Sequence, residues 1–194
     1  IAFSDSTGNA GVAVTAVTDG SSVTFDDSVP TLTSVGIASN NSTTTIAKIA
    51  DVVTLSFTAN ETIGTPTVTF QSGGDAITNN VTYANPSDNT WTAAYTTHDS
   101  DTDGSVTFSI AFSDSTGNAG VAVTAVTDGS SVTYDDTVPT LTSVGIASNN
   151  STTTLAKEGD IVTLSFTANE TIGTPTVTFQ SGGAAITNSV TYAN

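Results

Sequence analysis

The sequence contains no cysteine and no methionine, and its only basic residues are Lys48 and Lys157. Without thiols there is no disulfide, no thiolate metal site and no cysteine nucleophile, and little in the chain oxidises readily. That chemistry, with abundant Thr, Ser, Asn and Gly, leads us to expect an extracellular or cell-surface protein of bacterial origin. No apolar run approaches the roughly 20 residues that cross a bilayer as a helix, so direct membrane insertion is not expected. There is one imidazole, His98, and no motif sets it beside an activated serine. The acidic pairs fall in loops without an aromatic cleft, and a non-catalytic protein is expected.

What is present is acid. Eighteen Asp and Glu stand against the two lysines, for a formal charge of −16 over 194 residues. Such a field repels nucleic acid and anionic membrane and favours cations.

The chain repeats itself. Residues 1 to 25, "IAFSDSTGNAGVAVTAVTDGSSVTF", return at Ile110 with Tyr134 in place of Phe25, and "DDSVPTLTSVGIASNNSTTT" at Asp26 returns at Asp135 with one change. The offset is 109 residues in both cases. A period of that size is a domain, not a solenoid rung, so each unit can bury its own core. The expected organisation is the C-terminal strands of one repeat (1–25), a complete repeat (26–134) and the N-terminal part of a third (135–194). These cut points fit a section of a longer array of beads on a string.

Within a unit the hydrophobic pattern has period two. "VVTLSFTA" puts Val53, Leu55, Phe57 and Ala59 on one face, and "SVTFSIAFS" does the same with Val106, Phe108, Ile110 and Phe112. Further strands are expected over 31–37, 67–71, 76–83, 90–96, 119–126 and 131–134, separated by "SGGD", "NPSDN" and "DG" turns. No stretch shows a helical stripe with caps. Seven or eight short strands in about 109 residues, with Trp91 on a central one, predict an all-β fold, a Greek-key β-sandwich of immunoglobulin type. Trp91 is assigned to the core beside Ala93 and Tyr95.

The segments "DDTVPTLTSVGIAS", "GDIVTLSFTANETIGTPTVTF", "DTDGSVTFSIAFSDSTGNAG" and "VTDGSSVTYDD" resemble the tandem bacterial immunoglobulin-like repeats of giant surface adhesins and other very long extracellular proteins. The resemblance covers the whole chain. It implies a structural extender that holds terminal binding domains away from a cell, with Ca2+ stiffening the junctions between neighbouring repeats. Two alternatives stand beside it: a subunit of a self-assembling filament, whose partners are identical chains, and a glycan-binding module. The aromatics, mostly on inward strand faces, weigh against the last.

Sandwich topology fixes which loops meet. Asp26 and Asp27 precede the first strand, Glu61 lies in "ANETIG" and Asp114 and Asn118 in "SDSTGNAG", and all five are expected at one pole as Ca2+ ligands. At the opposite pole lie Asp51 and the run Asp99, Asp101 and Asp103, followed by the next linker (Asp135, Asp136) and the next unit's Glu170. Oxygen donors from sequence-distant segments suit Ca2+, which takes six to eight of them. "DSDTDG" copies the first half of an EF-hand loop, but Ile110 stands at the twelfth position and no helices flank it. The run is therefore expected to bind an ion only with help from Asp51 or the Asp135–Asp136 pair. The competing reading is of solvated acidic turns.

Overall fold

The structure is a computed structural model that describes residues 1–193. Among them there is no helix, and the chain divides into two compact units, Ile1–Asp136 and Thr137–Asn194.

The first unit holds nine strands: β1 (Leu32–Ser39), β2 (Ile46–Ala47), β3 (Val52–Ala59), β4 (Thr67–Ser72), β5 (Asp75–Ala76), β6 (Thr82–Ser87), β7 (Thr90–Thr96), β8 (Gly104–Ala111) and β9 (Thr133–Tyr134). They form a four-stranded sheet in the order β1-β3-β7-β6 and a five-stranded sheet in the order β2-β9-β8-β4-β5. Pairing is antiparallel throughout except for β2 with β9. The alternation in β3 explains the layering. Val53, Leu55, Phe57 and Ala59 are buried while Thr54, Ser56 and Thr58 are not, because successive strand side chains point to opposite faces.

One apolar core serves both sheets. It contains Val35, Ile37, Leu55, Phe57, Ala93 and Tyr95 from one side and Val68, Phe70, Phe108 and Ile110 from the other. Phe70 and Tyr95 meet across the gap with ring centroids 4.9 Å apart, in the range of favourable tilted pairs. Trp91 packs only partly against this core, and it sits opposite Phe57 near the start of β7.

Two expected strands are altered. The 76–83 stretch splits into β5 and β6, because Thr78 N–H donates to Asp101 and the Asn79 side chain donates to the Thr96 carbonyl, which draws the chain off the ladder. The 119–126 stretch makes only isolated bridges, Ala119 with Ser113 and Val123 with Ile110. It leaves one sheet for the other: four residues later Thr127 N–H donates to the Val35 carbonyl on β1. A segment that crosses between layers cannot keep one ladder. It returns at Val132, whose carbonyl accepts from Val106.

Residues 1–25 form no strand and contain one bridge, Ser4 with Ala10. The second unit holds β10 (Leu141–Ser148) paired with β11 (Val162–Ala168), and β12 (Gln180–Ser181) paired with β13 (Ala184–Ala185). The register of β10 on β11 repeats that of β1 on β3 residue for residue, including the bulge at its start.

Candidate metal centre

Three carboxylates converge at the pole where the chain enters β1. Asp26, Glu61 and Asp114 each offer an oxygen, and these oxygens lie within 4.8 Å of one another. Donors around a Ca2+ at about 2.4 Å sit up to about 4.8 Å apart, so the spread is that of a single ion's ligands. Among the described residues no other trio of potential metal ligands is so close.

Local sequence builds this geometry. Asp114 follows the last residues of β8 and opens a tight knot: its Oδ1 accepts from the Thr116, Gly117 and Asn118 amides at 2.7–2.9 Å, and its Oδ2 from Asn118 Nδ2 at 2.8 Å. Burial pushes the Asp114 carboxyl up, but the Asn118 side chain, Thr116 and these amides outweigh it and hold the group down at about 2. It is an anion at neutral pH. A bridge between Asp114 and Ile63 brings the loop that carries Glu61 alongside. The linker is fastened by Asn118 Nδ2, which donates to the Asp26 carbonyl at 3.1 Å, and by Asn60, which accepts from Thr31 N–H at 2.7 Å. Asp27 is exposed and stands outside the trio.

The opposite pole is organised differently. Asp101 is buried, and its two oxygens accept from Thr78 N–H at 2.8 Å and His98 N–H at 2.9 Å. Asp99 faces outward with an oxygen 2.7 Å from His98 Nδ1. Asp103 accepts from Asp136 N–H at 2.9 Å. Burial and then the charge of Asp103 raise the Asp136 carboxyl above its ordinary value. Asp135 N–H donates to the Ala47 carbonyl. The run thus distributes its carboxylates among three tasks and does not gather them. Gly104 closes the motif for steric reasons: it sits at φ 140°, and a Cβ there would come within 2.8 Å of the Gly73 Cα.

Asp51 braces its own turn, accepting from Asn41 Nδ2 at 2.8 Å and Lys48 N–H at 2.9 Å. Asp160 repeats this with Asn150 and Lys157 in the second unit. In that unit Glu170 is half-buried, with an oxygen that has no hydrogen-bond partner. Sequence reasoning passed over Asn60, although its counterpart Asn169 takes the Thr140 amide in the same way; recurrence at the 109-residue offset was the signal. It also passed over Asp5 and Asn9, which tie the same knot as Asp114 and Asn118. Comparison with family models, curated proteins and solved structures gave no match to the chain.

Proposed function

We propose that this chain is a non-catalytic structural repeat of a long extracellular bacterial adhesin or fibre, and that Ca2+ bound by Asp26, Glu61 and Asp114 clamps the incoming linker to the sandwich. The carrying observation is the trio itself: one carboxylate from the linker and two from loops of the folded body, held at the spacing of one ion's ligands. Three anions so placed repel, and a divalent cation removes the repulsion. The rest of the shell falls to main-chain carbonyls and water.

The strand orders support an immunoglobulin-type reading. β1-β3-β7-β6 corresponds to A-B-E-D, and β9-β8-β4 to G-F-C, of such a sandwich. The 109-residue repeat supports an array in which the same linker chemistry recurs, since Asp135 and Glu170 occupy the positions of Asp26 and Glu61 one period on.

An ion that bridges linker and body stiffens the passage from residue 25 into β1, because bending there breaks coordination. Small-angle scattering tests this function. In calcium the maximum dimension of a chain of several repeats is that of a rod, and in chelator it shortens and broadens. Identical curves would defeat the extender reading.

A further inference from the structure

Seven asparagines stand two residues before a serine or threonine with no proline between: Asn40, Asn41 and Asn60, their counterparts Asn149, Asn150 and Asn169 one period on, and Asn80 in "NVT". That spacing is the acceptor pattern for N-linked sugar. The fold commits six of the seven side chains. Asn40 accepts from Val52 N–H at 2.8 Å, Asn41 donates to Asp51 at 2.8 Å and Asn60 accepts from Thr31 N–H at 2.7 Å. The second unit repeats all three contacts. A sugar on any of these side chains crowds a turn that the same side chain holds closed.

Asn80 differs. It lies in the loop between β5 and β6, and it is exposed, with no hydrogen-bond partner for its side chain among the described residues. Its neighbours do the anchoring: Asn79 donates to the Thr96 carbonyl at 2.8 Å, and Val81 packs against the core. Beside Asn80 runs an open groove of about 430 Å³, lined by Asn79, Asn80, Thr82 and Thr96 and by the apolar Val52 and Ala94. These side chains offer amides and hydroxyls and no charge, which suits the hydroxyl groups of a neutral sugar. At the equivalent position of the second repeat stands Ser189, which cannot accept one.

We infer that Asn80 is a glycosylation site and carries an N-linked sugar. The chain supplies the acceptor alone, and a separate glycosyltransferase supplies a sugar activated as its diphosphate. The Asn80 side-chain nitrogen attacks the anomeric carbon, the new C–N bond forms, the anomeric C–O bond breaks, the diphosphate leaves with that electron pair, and the amide gives up one proton to a base of the transferase. The acceptor pattern needs the Thr82 hydroxyl, which donates to the Ala94 carbonyl at 3.1 Å once β6 lies on β7. The sugar is therefore added before this strand closes. β6 is the outer strand of its sheet and is exposed along its whole length, and a bulky hydrophilic group at its start shields an open edge from pairing with other chains. The inference is independent of calcium.

Peptide mapping by mass spectrometry of the folded 194-residue chain, secreted from a host that makes N-linked glycans, is the test. Enzymatic release of the sugar in heavy-oxygen water marks each asparagine that carried one. The expected result is a sugar mass on the peptide that holds Asn80, with Asn40, Asn41 and Asn60 bare and no sugar on the peptide that holds Ser189. Asn80→Ser, the exchange found between the two repeats at this exposed position, should lose that mass and leave the melting temperature of the sugar-free protein unchanged. A folded fraction with bare Asn80 overturns the inference. So does occupancy of Asn40, Asn41 or Asn60 equal to that of Asn80, because the fold would then not select the site.

Discussion

Asp101→Ala separates a structural brace from a metal ligand. Asp101 is 6 % exposed and takes two backbone amides, from Thr78 and His98. Hydrogen bonds to a charged acceptor contribute about 1.5–3 kcal/mol each, and their donors, once orphaned, keep their desolvation cost. The variant should therefore lose about 3–5 kcal/mol. A domain of this size is stable by about 5–15 kcal/mol, and each kcal/mol moves its midpoint by about 4–8 °C, so melting should fall by about 12 °C or more. Asp101→Asn keeps one acceptor and turns an NH2 toward the other amide, for about 2 kcal/mol. Circular-dichroism melts in calcium and in chelator supply the assay, with hydrogen exchange at Thr78 and His98 as a local readout. The expected losses are equal in the two buffers. A loss below about 1 kcal/mol would refute the brace, and a loss that vanished in chelator would return Asp101 to the metal.

Ala50 sits at φ 69°, while its counterpart Gly159 sits at φ 89°. Left-handed alanine costs about 1–2 kcal/mol and glycine's extra chain entropy returns about 0.5–1, so Ala50→Gly should stabilise by about 0.5–1 kcal/mol in urea melts, and a lower midpoint would contradict this. Tyr134 donates to the His98 carbonyl at 2.6 Å, and Tyr134→Phe should cost about 1 kcal/mol. Burial, followed by Asp136, Asp101 and Asp103, pushes the Tyr134 hydroxyl up to about 12. Stability from a raised group is complete below its unfolded value near 10 and is lost as pH climbs toward 12, so Tyr134→Phe should flatten that alkaline limb. Asp114 runs the other way: held at about 2, it contributes above the ordinary carboxylate value and loses that contribution as pH falls from about 4 to 2, which Asp114→Asn should abolish.

The all-β character was legible because Val53, Leu55 and Phe57 declare their face locally, and period two admits few other readings. The placement of Asp26, Glu61 and Asp114 at one pole was legible for a topological reason: in a two-layer sandwich the ends of alternate strands share a pole, so loops far apart in sequence have few places to go. The fate of Asp99, Asp101 and Asp103 was not legible. It depends on which amides the 77–79 turn and the 135–136 linker bring within reach, and carboxylate spacing along a chain says nothing of that. The 119–126 stretch misleads because Ala, Gly and Val alternate as a strand would, while Thr127 and Ser130, whose hydroxyls draw the chain across to β1, carry no periodic signal.

Titration calorimetry with Ca2+ on the wild-type chain and on Glu61→Gln tests the account most directly. Extracellular calcium modules bind at about 10⁻⁴–10⁻³ M, and at tenfold excess over that constant a single site adds about 1.4 kcal/mol to folding. We predict saturable binding in this range, a matching rise in melting temperature, and loss of both in Glu61→Gln with the chelator-state melt unchanged. No saturable heat, or binding that Glu61→Gln leaves intact, would contradict a calcium clamp built from Asp26, Glu61 and Asp114.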